Sequence, residues 1–363
     1  MLATPVHVDI RAGAVAGLVE LLEERRVSSR GRVAVALGPG LGERVLDSLA
    51  GSIPLADVCT VGGGTVDDAL ALADAIGRKP VDAVVGIGGG RTLDVAKYAA
   101  SRVGAPMVSV ATSLAHDGIA SPVSVLEVDG RRHSFGVSMP IGVVVDLDFV
   151  RTAPRRQIRA GVADAVSNLS ALADWRLATA VTGEPFDGLA ATFAGAAAES
   201  VLHSRSRLDS DHFLTTLAEA LVLSGLAMSV AGTSRPCSGA CHEISHAIDK
   251  LRPGLASHGE QVGVGALFAT FLRGDDELFD DLLRCLLHVD AAVTPAALGL
   301  SPEVFTLAVL EAPSTRPDRY TILEHLALAP SETHERVVDF VRAVESRAGA
   351  VAVGEHGVSP ALA

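Results

Sequence analysis

The chain has 363 residues and a formal net charge of −13, with 43 acidic residues against 30 basic ones. Because a single hydrophobic core stops growing at about 250–300 residues, this length predicts two domains. The acidic balance, with only short basic clusters and no interleaved aromatic residues, argues against nucleic acid as a partner. Four cysteines and an N-terminus without the blocks of a signal peptide predict a reducing cytoplasm.

The first 152 residues alternate short apolar runs with amphipathic ones. The predicted elements are strands at 32–37, 81–87, 106–111 and 143–145 and helices at 42–49 and 65–76. Such alternation predicts a parallel sheet that is covered by helices on both faces. A hairpin with an Asp129-Gly130 turn is predicted over 125–137.

After Pro154 the pattern is helical to about residue 345, with breaks predicted at 232–238, 252–257 and 311–316. The sequence therefore predicts a nucleotide-binding α/β domain at 1–152 and an all-α domain at 153–363. The segment Phe213–Gly232 is long enough to cross a bilayer, but it lacks an aromatic belt and basic flanks. We interpret it as a buried core helix and predict no membrane span.

Three glycines follow one of the predicted strands. Val84–Ile87 leads into Gly88-Gly89-Gly90, and 93–100 is predicted to be helical. Glycines let the backbone approach a pyrophosphate closely, and amides at a helix N-terminus donate hydrogen bonds to it. The turn predicts a dinucleotide site, although a plain strand-to-helix turn has the same pattern. Since no Asp or Glu ends the strand at 32–37, NAD and NADP both remain open.

Histidines and carboxylates with metal-ligand spacing lie in the helical half. His242 and His246 share one helix face with Asp249. His258 follows a Pro-Gly break, and Asp164 lies in an apolar helix where an unpaired carboxylate is costly to bury. Two imidazoles and one carboxylate suit zinc or ferrous iron with an open position. Each histidine taken alone also fits a structural role.

A polar loop that follows the strand at 106–111 contains Asp117 and Ser121. Ligands of open parallel sheets bind at the carboxyl ends of the strands. Both side chains are therefore predicted to face the same crevice as the glycine turn. Helix capping or a turn role is the alternative for both.

Several motifs occur along the chain in a fixed order: Gly88-Gly-Gly-Arg-Thr-Leu-Asp-Val-Ala-Lys97, Ala115-His-Asp-Gly-Ile-Ala-Ser-Pro122, Ala160-Gly-Val-Ala-Asp164, Ala227-Met-Ser-Val-Ala-Gly-Thr-Ser-Arg-Pro236, Ser238-Gly239, His242-x-x-x-His246 and His258-Gly-Glu-Gln-Val262. Together they resemble the sn-glycerol-1-phosphate dehydrogenase family, within the iron-containing alcohol dehydrogenase and dehydroquinate synthase-like superfamily. The resemblance runs from about residue 30 to 270.

The resemblance implies a dehydroquinate synthase-like fold, with a nucleotide-binding α/β domain before an all-α helical bundle. It implies reversible reduction of dihydroxyacetone phosphate to sn-glycerol 1-phosphate with NAD or NADP, and zinc, with iron as the alternative metal. The implied metal ligands are Asp164, His242 and His258, and the implied catalytic contacts with the substrate are Asp117, Asp164 and His246. The implied cofactor contacts are Gly88, Gly89, Gly90, Arg91, Thr92, Thr112, Ser113, Leu114, Ala115 and Ser121.

Other interpretations fit parts of the pattern. A relative that acts on another small polyol or ketone would share it, as would a sugar-phosphate cyclase of the dehydroquinate synthase kind. A non-haem iron oxygenase uses the same two-His, one-carboxylate triad but does not need the glycine turn. Arg235 and Lys250 are candidates for binding the phosphate, and either also fits a surface charge. The partners expected are a small-molecule substrate and, from the apolar helical half, further copies in a homo-oligomer.

Overall fold

The computed structural model describes residues 4–24, 31–49 and 55–356. In this part of the chain the strands are β1 His7–Arg11, β2 Val33–Leu37, β3 Leu55–Thr60, β4 Ala83–Gly88, β5 Met107–Ala111, β6 Val123–Val128, β7 Arg131–Gly136 and β8 Gly142–Asp146. The helices are α1 Leu18–Glu23, α2 Leu41–Ser48, α3 Val66–Gly77, α4 Gly90–Val103, α5 Leu147–Val150, α6 Arg155–Thr182, α7 Gly188–Leu202, α8 Asp211–Ala231, α9 Ala240–Leu251, α10 His258–Arg273, α11 Asp276–His288, α12 Pro302–Thr315, α13 Ile322–Leu326 and α14 Pro330–His356.

Six strands form one parallel sheet in the order β1-β8-β5-β4-β2-β3. Strands β2, β4, β5 and β8 are buried along their whole length, as expected for Val-rich strands with helices on both faces. The predicted α/β class with a parallel sheet is confirmed. Strands β1 and β3 form the two edges of the sheet, and neither was predicted from the sequence.

The direction of winding reverses between β2 and β4. From β2 the chain adds β3 on one side, and from β4 it adds β5 and then β8 on the other. Open α/β sheets bind ligands at the carboxyl ends of the strands at such a reversal. Two glycine-containing turns lie there, Gly38-Pro39-Gly40 after β2 and Gly88-Gly89 after β4. The carboxyl ends of β2 and β4 are therefore the expected nucleotide site.

Strands β6 and β7 form the predicted hairpin as a separate two-stranded sheet. Its turn residues Asp129 and Gly130 have φ values of 51° and 74°. Positive φ at both central residues is the geometry that an Asp-Gly turn favours between twisted strands. The hairpin extends toward the helical half, where Arg132 pairs with Asp249 of α9 at 3.2 Å.

From α6 onward the described residues are helical, which confirms the all-α character of this half. The breaks predicted at 232–238 and 252–257 are present, whereas the break predicted at 311–316 is wrong. Helix α12 continues through Pro313 to Thr315, although proline lacks the N–H that a residue in the body of a helix donates to the fourth residue before it. The chain leaves the helix only at Arg316.

Helix α8 is long and apolar enough, by length and composition alone, to cross a membrane. Within the protein, however, Leu214, Leu217 and Leu221 are completely buried, and α8 packs against α7 and α6. A Ser210 cap starts the helix and Gly232, with φ of 64°, ends it. These contacts are those of a core helix in a bundle, as the sequence predicted.

A candidate metal and dinucleotide site

Three potential metal ligands converge where α6, α9 and α10 meet. One carboxylate oxygen of Asp164 lies 3.9 Å from Nε2 of His242 and 3.8 Å from Nε2 of His258. One ligand atom from each residue lies within 4.8 Å of those of the other two. Contacts of this length are not hydrogen bonds. Two donors that bind one tetrahedral zinc ion at about 2.0–2.2 Å lie about 3.3–3.6 Å apart, within a few tenths of an ångström of these two distances. The donor set therefore fits a divalent cation.

Close backbone approach places Asp164 against the loop that follows β5. A Cβ on Gly161 of α6 would collide with the carbonyl oxygen of Leu114, so only glycine lets α6 reach this loop. One turn later, a carboxylate oxygen of Asp164 accepts a hydrogen bond from the backbone N–H of Asp117 at 2.9 Å. The carboxylate is thus held at the junction of the two halves of the chain.

Capping places His258 at the first position of α10. The Ser257 and Glu260 side chains form a capping box, so the helix begins at His258. Glu260 also accepts two hydrogen bonds from Arg156 of α6, both at 2.7 Å. The start of α10 is therefore fixed against α6 beside Asp164.

A chain of hydrogen bonds orients the His258 ring. Nδ1 of His258 lies 3.2 Å from the Ser245 hydroxyl, which donates to Gln261 at 2.7 Å. The amide of Gln261 in turn donates to Asp249 at 3.0 Å. The Ser245 hydroxyl donates its only proton to Gln261, so its oxygen accepts a hydrogen bond from Nδ1–H of His258. Nε2 of His258 then carries no proton, and its lone pair is available on the side of Asp164. Asp249 is thus connected to His258 through Gln261 and Ser245.

Removing this support should weaken metal binding without removing a ligand. We expect Gln261→Leu to reduce zinc affinity about 10- to 100-fold, because the ring and tautomer of His258 are no longer fixed. Competition with a chromophoric chelator measures the affinity. Lys250→Gln, on the same helix as Ser245 but paired with Glu311 on the outer surface, is the control and should keep wild-type affinity.

Burial dominates the electrostatics of the three residues. It raises the pKa of Asp164 well above its usual value, and the neighbouring Asp117 raises it further. It lowers the pKa values of His242 and His258 well below their usual range, with nearby positive charges adding to the effect. Both imidazoles are therefore neutral at physiological pH, the form that ligates metals. A buried carboxylate between two neutral imidazoles is costly unless a cation compensates it.

A single side chain, the imidazole of His116, lies between the glycine turn and this three-residue cluster. Helix α4 begins at Gly90, and a Cβ there would overlap the imidazole of His116. The centre of that imidazole lies 6.2 Å from the ring centre of His258. His116 accepts a hydrogen bond at Nδ1 from the Gly118 N–H at 3.0 Å, which fixes the ring. His116 was not predicted as a site residue, since its position depends on a contact between segments that are distant in the sequence.

The predicted cofactor residues lie on adjacent loops at the carboxyl edge of the sheet. The N–H of Thr112 donates to the carbonyl of Gly88 at 3.0 Å, which joins the two loops. Arg91 is exposed, whereas Thr92, Ser113 and Leu114 are buried. Their contacts with a cofactor stay predictions.

Asp117 and Ser121 are placed differently from each other. Asp117 lies at the crevice, where burial raises its pKa to about 6. Ser121 is 2 % exposed, and its carbonyl and hydroxyl oxygens lie 3.3 and 3.5 Å from Nζ of Lys97, a buried residue of α4. The hydroxyl of Ser121 is therefore already engaged with the protein, and its predicted contact with a cofactor is unsupported by these contacts.

His246 faces a cavity of about 520 Å³ whose wall contains four arginines, Arg132, Arg235, Arg316 and Arg319. Nη2 of Arg316 lies 3.4 Å from Nε2 of His246. A guanidinium only donates, so Nε2 is the acceptor and the proton lies on Nδ1. Burial, followed by the charge of Arg316, lowers the pKa of His246 to about 3, so the ring is neutral at physiological pH.

The two phosphate candidates from the sequence are both paired with acids. Arg235 donates two hydrogen bonds to Glu184 at one side of the cavity. Lys250 pairs with Glu311 at 2.7 Å and does not line the cavity. Arg316 and Arg319 were not predicted as site residues, because Arg316 ends the segment 311–316 that was interpreted only as a helix break and Arg319 lies just beyond it.

Comparisons with known proteins agree with this geometry. Residues 9–154 match the family model of iron-containing alcohol dehydrogenase. The chain is 37 % identical to a glycerol-1-phosphate dehydrogenase [NAD(P)+] of Hyperthermus butylicus, over 88 % of this chain and 92 % of that protein. It is 34 % identical to the enzyme of that name from Thermococcus kodakarensis, over 82 % and 86 % of the two chains. The chain belongs to the glycerol-1-phosphate dehydrogenase family.

Members of this family are oxidoreductases of the iron-containing alcohol dehydrogenase superfamily, and these relatives give no support to the cyclase alternative. Solved structures share the fold at low identity. Glycerol dehydrogenase from Schizosaccharomyces pombe superposes with a TM-score of 0.76 at 19 % identity, over 99 % of this chain and 93 % of that one. An iron-containing alcohol dehydrogenase from Corynebacterium glutamicum gives 0.74 at 17 %, over 93 % and 95 %. The dehydroquinate synthase-like fold expected from the sequence is confirmed.

Proposed function

We propose that this chain reversibly reduces dihydroxyacetone phosphate to sn-glycerol 1-phosphate with NADH or NADPH, in the crevice between the glycine turn and the helical half. The proposal rests on one observation. Only one imidazole, that of His116, lies between the glycine turn and the cluster of Asp164, His242 and His258. Few reactions need both a Lewis acid and a dinucleotide. Membership of the glycerol-1-phosphate dehydrogenase family supports this choice of reaction.

Asp164, His242 and His258 would hold the metal, zinc or ferrous iron. When bound, the cation would supply a Lewis acid for a carbonyl oxygen, and the nicotinamide would supply or accept a hydride. The N-terminal amides of α4 at Gly90 would bind the pyrophosphate, because they carry the positive end of the helix dipole. The predicted division at residue 152 would then separate a cofactor-binding half from a metal-binding half.

His246 and Asp117 would contact the substrate. His246 carries its proton on Nδ1 and is neutral, so it would donate a hydrogen bond from Nδ1–H to a substrate oxygen. The pKa of Asp117, raised to about 6, lets its carboxyl exchange protons near neutral pH. The backbone N–H of Asp117 donates a hydrogen bond to the carboxylate of Asp164 and holds it in place.

The reaction is tested with the purified zinc-loaded protein, NADH or NADPH, and either dihydroxyacetone phosphate or dihydroxyacetone. We expect the phosphorylated ketone to be reduced with loss of nicotinamide absorbance, and the product to be the sn-1 enantiomer of glycerol phosphate. Formation of the sn-3 enantiomer, or turnover of dihydroxyacetone alone, would refute the proposal. Oxygen consumption would instead favour an oxygenase.

We expect the enzyme to work in the cytoplasm as a homo-oligomer. No disulfide joins Cys59, Cys237, Cys241 or Cys285, which fits a reducing compartment. Light scattering during gel filtration measures the assembly, and a mass of one chain would contradict it.

A further inference from the structure

We infer that Arg316 and Arg319 bind the phosphate of the substrate and set the preference for a phosphorylated ketone. The inference rests on the proposed function, because it concerns the same chamber. Both residues follow α12 and line the cavity that His246 faces. A substrate bound there would have its phosphate at the arginines and its reactive end toward the three-residue cluster, since His246 lies one helical turn from His242 on α9.

The two guanidinium groups have only neutral partners among the described residues. Arg316 donates to the hydroxyls of Ser234 at 3.0 Å and Ser134 at 3.3 Å, in addition to His246. Arg319 donates to the hydroxyl of Ser234 at 3.0 Å and to the carbonyl of Ser238. A guanidinium has five donors and is always charged, and its strong partners are carboxylates and phosphates. The carboxyl groups of Glu184 and Glu243 act on these charges only at longer range, so the two half-buried guanidinium groups have no anionic hydrogen-bond partner among the described residues.

The shared hydroxyl of Ser234 also shows how close the two charges are. Each guanidinium has a nitrogen 3.0 Å from the same oxygen, so these nitrogens lie no more than about 6 Å apart. Burial and then the charge of Arg316 lower the pKa of Arg319 to about 9. A dianionic group between them would remove this repulsion and accept hydrogen bonds from both forks.

The other two arginines of the cavity do not need an added anion. Arg235 is neutralised by Glu184 and donates to the carbonyl of Tyr320. Arg132 is neutralised by Asp249 at 3.2 Å. Of the four arginines in this cavity, Arg316 and Arg319 are therefore the two whose positive charge is not balanced by an ion pair.

The test compares Arg316→Gln and Arg319→Gln with a matched control, Lys250→Gln, which removes the same charge from the outer surface of α9. For each holoenzyme, kcat/KM is measured for dihydroxyacetone phosphate and for dihydroxyacetone. We expect either arginine variant to lose about 10- to 100-fold of the preference for the phosphorylated ketone, as for a lost charge-assisted hydrogen bond. Turnover of dihydroxyacetone should change little in Arg319→Gln, because Arg319 donates to Ser234 and Ser238 and not to His246, and the control should keep the wild-type preference.

Calorimetric titration with inorganic phosphate gives a second measurement that does not depend on turnover. Binding should weaken at least about 10-fold in the arginine variants and not in Lys250→Gln. If Arg319→Gln does not fold, Arg319→Lys, which keeps the charge but loses the fork, should show a partial loss of preference.

Different results separate the two claims. If wild-type protein reduces dihydroxyacetone phosphate and the arginine variants keep its preference, the inference is wrong and the proposed function stands. An equal loss with both ketones would also overturn it, since the arginines would then act on structure or chemistry and not on the phosphate. If wild-type protein binds phosphate through these arginines but does not reduce the phosphorylated ketone, the proposed function fails instead.

Discussion

Replacing His258 by alanine is expected to abolish metal binding and to lower turnover at least about 1,000-fold, because a Lewis acid contributes several kcal/mol to such a reaction. The His258 side chain is about a quarter exposed and lies at the first position of α10, so its truncation should leave the fold intact. Elemental analysis after dialysis measures bound zinc, and circular dichroism monitors the helical content.

The control for this variant is His203→Ala. His203 is an exposed residue after α7 that pairs with Glu199 on the surface, where such pairs contribute little. Metal content and turnover should both remain at the wild-type level. Activity with a full equivalent of zinc in His258→Ala would show that the ligand set is wrong.

The second large effect is expected at Gly259, where α10 touches α6. A Cβ there would lie 2.6 Å from the carbonyl carbon and 2.9 Å from Cα of Ala160, and closer still to the carbonyl oxygen. The neighbour is backbone and cannot rotate away. Gly259→Ala should therefore separate the two helices, destabilise the protein by about 3 kcal/mol, and weaken metal binding because His258 moves away from Asp164.

Gly195→Ala provides the matched comparison. It lies inside α7, and its added Cβ would make an ordinary contact at 3.7 Å with Leu172. Alanine also favours a helix interior by up to about 1 kcal/mol over glycine, so stability should be unchanged or slightly higher. Chemical denaturation measures both variants. Equal stability of the two would show that close packing of α6 and α10 does not position the metal ligands.

The elements of the fold that were predicted correctly are those whose cause lies in a few neighbouring residues. The Asp129-Gly130 hairpin, the Val-rich central strands and the glycine-ended helices each have a local cause, and each is present. The edge strands β1 and β3 were missed because edge strands are only partly buried and have a weaker apolar pattern. The helix across Pro313 was missed because proline normally ends a helix, whereas here only two residues follow it.

The candidate site shows the same division. Asp164, His242 and His258 have residue types and spacing that indicate a metal, and the structure brings them together. Roles that depend on long-range contacts were not predictable from spacing: the approach of His116 to Gly90, and the convergence of Arg316 and Arg319 on Ser234. The buried Arg235 pairs with Glu184 in the folded chain, which no local pattern reveals.

The most direct test of the central claim is the anomalous X-ray scattering of a crystal of the zinc-loaded protein. We predict one strong peak per chain, bounded by the carboxylate of Asp164 and the Nε2 atoms of His242 and His258. A peak at the buried thiols of Cys237 and Cys241 instead, or no peak between the three residues at saturating zinc, would contradict the account.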